Sequence, residues 1–191
     1  MTSTTTLSNA LLGQETALKR VLMVLGGSAL IALAAQVRVP MFPVPMTLQT
    51  LAVLMIGLSF GARMGAATLL AYLAEGAMGL PVFAGGGAGL AYMAGPTGGF
   101  LVGFVLTAWL AGLAVDRGLA KGFFGTALAA LTAGVALYLP GLAWPAIALG
   151  KTVPELLSGW MLPFLAGDAV KAILAALIVT GAWAALKSRK A

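Results

Sequence analysis

The sequence predicts an all-α membrane protein, a bundle of about six transmembrane helices at roughly 20 residues per crossing. Both termini are expected on the cytoplasmic side, with a glycine-rich extracellular loop capping a cavity. Three observations carry this. Of the 191 residues, 61% are hydrophobic and only 8% charged, where a soluble domain has roughly a quarter charged. The apolar residues gather into long runs broken by proline, glycine and single basic residues. The bases are also distributed by side: Lys19, Arg20, Arg63, Arg117, Lys121, Lys187, Arg189 and Lys190 fall inside and Arg38 and Lys151 outside, as the positive-inside rule requires.

Taken in order, residues 1–20 form a polar, Ser/Thr-rich tail or short interfacial helix, residues 21–187 the membrane domain, and residues 188–191 a basic tail. Ala32-Leu33-Ala34 could pass for a signal cleavage site, but the region before the apolar run contains Glu15 and the run from Val21 to Val37 exceeds a signal core. That run is span one. Pro40, Pro43 and Pro45 remove donors and clash with any continuing helix, giving a bend at the membrane surface. Span two runs from about Thr47 to Ala62, Arg63 marks the turn, and span three continues to about Leu80, where Pro81 ends it. Between Phe83 and Gly99, repeated glycines and Pro96 predict a non-helical connection; its backbone groups need protein or water partners, so it should cap or line a cavity.

Span four is expected near residues 99–115 and span five near 123–139. The next stretch carries Pro140, Pro145, Pro154 and Pro163 with Trp144 and Trp160, a pattern suited to a reentrant or interfacial connection with indoles at headgroup level. Span six is expected from about Leu162 to Leu186. The inverted repeat of many secondary carriers finds no support in the sequence. Three seams of small residues should let helices approach closely: Gly57, Gly61 and Gly65; Gly95, Gly99, Gly103, Thr107 and Ala111; and Ala172, Ala176, Thr180 and Ala184.

Several function classes are excluded at this stage. Cysteine and histidine are absent, which removes disulfides, thiol catalysis and the usual zinc and haem ligands; no metal and no cofactor is expected. The net charge of +6 is spread singly between apolar runs, whereas a nucleic-acid footprint needs bases clustered on a wettable face. Gly150-Lys151-Thr152 imitates the end of a phosphate-binding loop, but the motif's first glycine would fall at Pro145. With no nucleotide-hydrolysing machinery, energy for any transport must come from another subunit or an ion gradient.

Asp168 and Lys171 are the most informative residues, since each costs about 2.5–3.5 kcal/mol to insert at a helix centre. At i,i+3 they share a helix face, so they either neutralise each other structurally or together face a polar ligand. Glu75 is the third ionisable group in the membrane region, with a possible ligand or proton role. Thr47 and Gln49 are hydrogen-bonding groups entering span two, equally suited to core satisfaction and to ligand contact. Tyr72, Phe83 and Tyr92 surround the glycine-rich loop, as packing residues or ligand contacts.

Four segments in order, Val44-Pro-Met-Thr-Leu-Gln-Thr50, Gly79-Leu-Pro-Val-Phe83, Gly95-Pro-Thr-Gly-Gly-Phe100 and Pro163-Phe-Leu-Ala-Gly-Asp-Ala-Val-Lys171, resemble the biotin transporter BioY family, over residues from about 21 to 186. The resemblance implies a six-helix, non-enzymatic substrate-capturing component of an energy-coupling factor transporter in the plasma membrane, surrounded by lipids. It implies a transmembrane coupling protein and two cytoplasmic ATPases as partners, or a homo-oligomer where a member works without them. Biotin fits the candidates: Asp168 can accept the ureido N–H groups, Lys171 can contact the ureido carbonyl or neutralise the anion, and Phe83 and Tyr92 can pack the bicycle. Gly85 and Gly86 would let backbone approach the ligand, and Thr47 or Gln49 would complete the polar shell. The glycine run at residues 85–89 holds no arginine for the biotin carboxylate. The alternative is an ion-coupled secondary carrier for a small carboxylate-bearing molecule, with Glu75 and Asp168 as proton sites; a membrane enzyme lacks any nucleophile-base constellation.

Overall fold

The structure, a computed structural model, describes residues 6–12 and 16–188; expectations for residues 1–5, 13–15 and 189–191 lie outside it. Helix α1 (Leu7–Leu12) packs against the bundle, with Leu7 buried beside Leu54, Leu58 and Ala111. Helix α2 (Ala17–Gln36) starts at Thr16, whose side chain accepts the Lys19 N–H, and ends at Val37 in extended conformation. The proline-bearing bend is a short antiparallel ladder of β1 (Arg38–Val39) and β2 (Met46–Thr47), pairing Arg38 with Thr47 and Val39 with Met46. Strands of two residues lie below any alternation a sequence can display.

Helices α3 (Gln49–Phe60) and α4 (Ala62–Ala77) are separated by Gly61 at φ +81°, and the Asp116 carboxylate caps the Ala62 N–H at 3.0 Å. After α4 the chain makes a turn of 3-10 helix at residues 84–86 and the short helix α5 (Gly89–Met93). The glycine-rich connection, expected to be non-helical, therefore has helical turns of its own. Helix α6 (Gly98–Asp116) is the central element, packed by α3, α4, α7 and α8. Two of the predicted seams explain how. A methyl group on Gly57 would lie 2.5 Å from the Ala108 carbonyl oxygen, and one on Gly99 would lie 2.2 Å from that of Pro140, so these backbones touch only because the side chains are missing.

The proline-bearing stretch after span five departs from the expected reentrant connection. Helix α7 (Gly122–Ala136) runs through Leu137 into α8 (Tyr138–Ala148). Pro140 is tolerated because it falls in the first turn of α8, where backbone N–H groups have no intrahelical partner. Helix α9 (Val153–Leu156) leads through one π-turn (Leu157–Met161) into α10 (Leu162–Ser188), and Pro163, the second residue of α10, lies just beyond that wider turn. Neither indole hangs free at the surface: Trp160 is buried with Val44, Tyr138 and Phe164, and the half-buried Trp144 donates to the Gly95 carbonyl at 3.0 Å. Both instead join this region to the loops opposite.

Four helical stretches, residues 17–36, 98–116, 122–148 and 153–188, are long and apolar enough to cross a membrane. Their outer faces expose Leu33 (70%), Phe124 (85%) and Ile147 (84%). Apolar surface on that scale needs hydrocarbon around it rather than water. The chain is a multi-pass membrane protein.

Candidate functional site

One end of the bundle holds the α3–α4 turn with Arg63, and the α6–α7 turn with Arg117 and Lys121. At the other end the β1–β2 ladder, the loop after α4, the start of α6, the α7–α8 junction and the first turns of α10 surround a cavity. It contains about 550 Å³ of empty space, part of it open to solvent, and its lining includes Met46, Thr47, Gln49, Thr50, Ala84, Tyr92, Thr97, Phe100, Phe104, Tyr138, Phe164, Asp168 and Lys171. A large apolar wall with a few convergent polar groups is the usual build of a small-molecule site.

The polar focus lies on α10. Lys171 donates to Asp168 Oδ1 at 3.0 Å, Thr50 donates to the same oxygen at 3.2 Å, and Tyr138 donates to Oδ2 at 2.7 Å. Three converging donors stabilise the carboxylate where water is scarce, and opposite charges at this distance remove much of the cost of holding either at membrane depth. The group is not saturated. A carboxylate offers about four acceptor sites and an ammonium three N–H donors, so an acceptor site on Asp168 and two donors on Lys171 remain free beside the cavity. Gly167 permits the arrangement, since a methyl group there would meet the Met46 sulfur at 2.9 Å. The two groups that the sequence left open between a structural ion pair and a ligand site pair with each other, and both line the cavity.

Thr47 and Gln49 form a second polar patch. The Thr47 hydroxyl donates to Gln49 Oε1 at 3.0 Å, and Gln49 Nε2 donates to the Tyr72 hydroxyl at 2.8 Å. Tyr72 in turn donates to the Val82 carbonyl at 3.0 Å. Tyr72 is fully buried and stands behind the lining, tying α3 to the loop.

The other candidates are distributed differently from the expectation. Tyr92 lines the cavity, but Phe83 does not. Its ring is fully buried, stacked under Tyr92 at 5.1 Å and edge-on to Tyr72 at 5.5 Å. It occupies the space left by Gly76, where a methyl group would lie 2.0 Å from the ring. Phe83 therefore supports Tyr92 from beneath. Gly85 and Gly86, at φ +71° and +74°, shape the turn while Ala84 beside them lines the cavity. Glu75 is absent from the lining and accepts a hydrogen bond from Ser28, which ties α4 to α2.

The sequence reading missed Thr50, Tyr138 and the aromatic wall of Phe100, Phe104 and Phe164. Thr50 was accessible in principle, one turn from Thr47 on α3. Nothing local marks Tyr138, which reaches Asp168 across 30 residues. Among the described residues no three His, Cys, Asp or Glu side chains come together as a metal site would require.

Comparison with known proteins agrees with this architecture. The model of the BioY family matches residues 4–188. A probable biotin transporter BioY of Pyrococcus horikoshii is 39% identical over 150 residues, covering 78% of this chain and 87% of its own. The biotin transporter BioY of Thermotoga maritima is 34% identical over 151 residues, covering 79% and 88%. The crystal structure of the S-component for biotin from an ECF-type ABC transporter superposes with a TM-score of 0.76 at 26% identity, over 93% of this chain and 96% of that one. With a family model spanning nearly its whole length and relatives aligned over most of theirs, the chain belongs to the BioY family.

Proposed function

We propose that this chain is the substrate-capturing membrane component of a biotin importer, binding biotin in the cavity beside α10 and carrying it across the plasma membrane. It is a transport protein and not an enzyme. The observation that carries the reading is that Asp168 and Lys171 face a partly open, aromatic-walled cavity with bonding capacity to spare. One ureido N–H of biotin donates to the open acceptor site of Asp168, and the free N–H groups of Lys171 donate to the ureido carbonyl. The apolar bicycle packs on Tyr92, Phe100 and Phe164. Thr47 and Gln49 complete the polar wall, with Tyr72 holding Gln49 in place, while Phe83, Gly85 and Gly86 shape the loop that supports Tyr92.

In the arrangement we infer, α3 and α4 form two shorter crossings beside the four long helical stretches, making six in a membrane domain of residues 21–187. Both termini are cytoplasmic, since this puts Arg63, Arg117, Lys121 and Lys187 inside and opens the cavity outward under the glycine-rich loop. A solved relative is described as the S-component of an ECF-type ABC transporter, which supports a separate coupling protein and two ATPases as the energy source. An ion-coupled carrier using Glu75 and Asp168 as proton sites is favoured less, because Asp168 lines the cavity whereas Glu75 is outside the lining and bonded to Ser28 at the α2–α4 contact.

Labelled biotin titrated onto the purified protein in detergent tests the reading. Saturable binding, competed by unlabelled biotin and not by an unrelated vitamin, is the expected outcome. A folded preparation that retains no biotin at any concentration would overturn the assignment.

A further inference from the structure

The cluster at Asp168 and Lys171 accounts for the ureido end of biotin and leaves its valerate carboxylate without a cation. On the biotin reading above, the described basic residues narrow to one for that end. Arg63, Arg117, Lys121 and Lys187 lie at the opposite end of the bundle, and Lys19 and Arg20 begin the 20-residue helix α2, roughly 25–30 Å from its cavity end at 1.5 Å per residue. Lys151 is paired with Glu155 at 2.9 Å. Arg38 remains.

Its position suits the task. Arg38 pairs in the β-ladder with Thr47, which lines the cavity. Its guanidinium lies over Gly85: a methyl group there would meet Nη1 at 2.6 Å and Cζ at 2.9 Å. Ala84, next in the chain, lines the cavity, so Arg38 sits beside its mouth. The loop beneath is held by Gln36, which accepts the Gly86 N–H and donates to the Phe83 carbonyl, both at 3.1 Å. The exposed guanidinium has no acid of its own among the described residues. Glu75 is bonded to Ser28, Asp116 caps Ala62, and Glu155 and Asp168 hold Lys151 and Lys171.

We propose that Arg38, seated on Gly85, forms a carboxylate subsite at the cavity mouth that holds the valerate end of biotin while Asp168 and Lys171 hold the ureido end. A guanidinium presents two parallel N–H donors matched to a carboxylate, and an open mouth lets an anionic ligand arrive carboxylate-last without desolvating the charge fully.

The test compares biotin with biotin amide, which keeps the bicycle and lacks the charge, on the wild-type protein and on Arg38→Gln. Wild type should prefer biotin. The Arg38→Gln protein should lose biotin affinity about tenfold to a hundredfold, the range of a charge-assisted hydrogen bond, while binding biotin amide as wild type does; retained amide binding also shows that the variant is folded. Unchanged biotin affinity in Arg38→Gln overturns the subsite. So does an equal loss for both ligands, which would mark Arg38 as a support of the ladder. A wild-type protein that binds neither ligand instead removes the biotin reading itself.

Discussion

Replacing Asp168 by Asn, alone and together with Lys171→Met, separates the ion pair's contribution to the fold from its contribution to binding. The two side chains are only 17% and 8% exposed and meet at 3.0 Å. Removing one partner of a fully buried pair costs about 3–5 kcal/mol because the other charge is stranded. Here the cavity admits water to one side, so Asp168→Asn should cost less, about 2–3 kcal/mol. It also turns one carboxylate oxygen into a donor, so either Tyr138 or the Thr50–Lys171 side loses its acceptor. For a chain of this size that loss lowers the melting temperature by about 5–10 °C. The double variant removes both charges and should recover most of the stability, since an apolar replacement of a buried pair is close to neutral. Biotin affinity should behave differently. Each charge-assisted bond is worth about 1.5–3 kcal/mol, so affinity should fall about tenfold to a hundredfold in the single variant and stay low in the double. Thermal unfolding in detergent and labelled-biotin binding read the two quantities on the same samples. A double variant that regains biotin affinity along with stability would refute the reasoning and leave the pair a structural device.

Two further substitutions probe the supports of the site. Tyr138→Phe deletes the 2.7 Å bond to Asp168 Oδ2 while keeping the ring on Phe100; leaving that oxygen short of a donor should cost about 1–3 kcal/mol of stability, read as a lower melting temperature, and biotin affinity should drop about threefold to tenfold, which equilibrium binding checks. Gly76→Ala places a methyl group where it would lie 2.0 Å from the Phe83 ring, so Phe83 and the Tyr92 stacked on it must shift; overpacking of this kind costs about 1–3 kcal/mol, visible as a lower melting temperature together with weakened binding.

The parts of this protein legible in the sequence are those governed by local chemistry. A charged pair inside an apolar run needs a reason wherever the helix ends up, and Asp168 and Lys171 were visible for that reason alone. Gly57 and Gly99 were readable as close-approach positions because a missing side chain has few other uses in a membrane helix. Proline was the weaker guide. Pro40 and Pro45 do break the chain, but Pro140 and Pro163 sit in helical backbone, because a proline in a first turn or just beyond a π-turn loses no bond that the helix there requires.

Composition and the spacing of apolar runs thus determined by themselves that the chain is a helical membrane protein, since burying so few charges and so much hydrocarbon leaves no other solvent. They also marked the acid and amine on which the proposed binding site rests. Only the tertiary structure decided what those two groups face. Tyr138 reaches Asp168 from another helix, Phe83 lies beneath Tyr92 instead of against the cavity, and Arg38 rests on a glycine 47 positions away. Contacts between distant segments depend on how whole helices pack, and no local pattern encodes them.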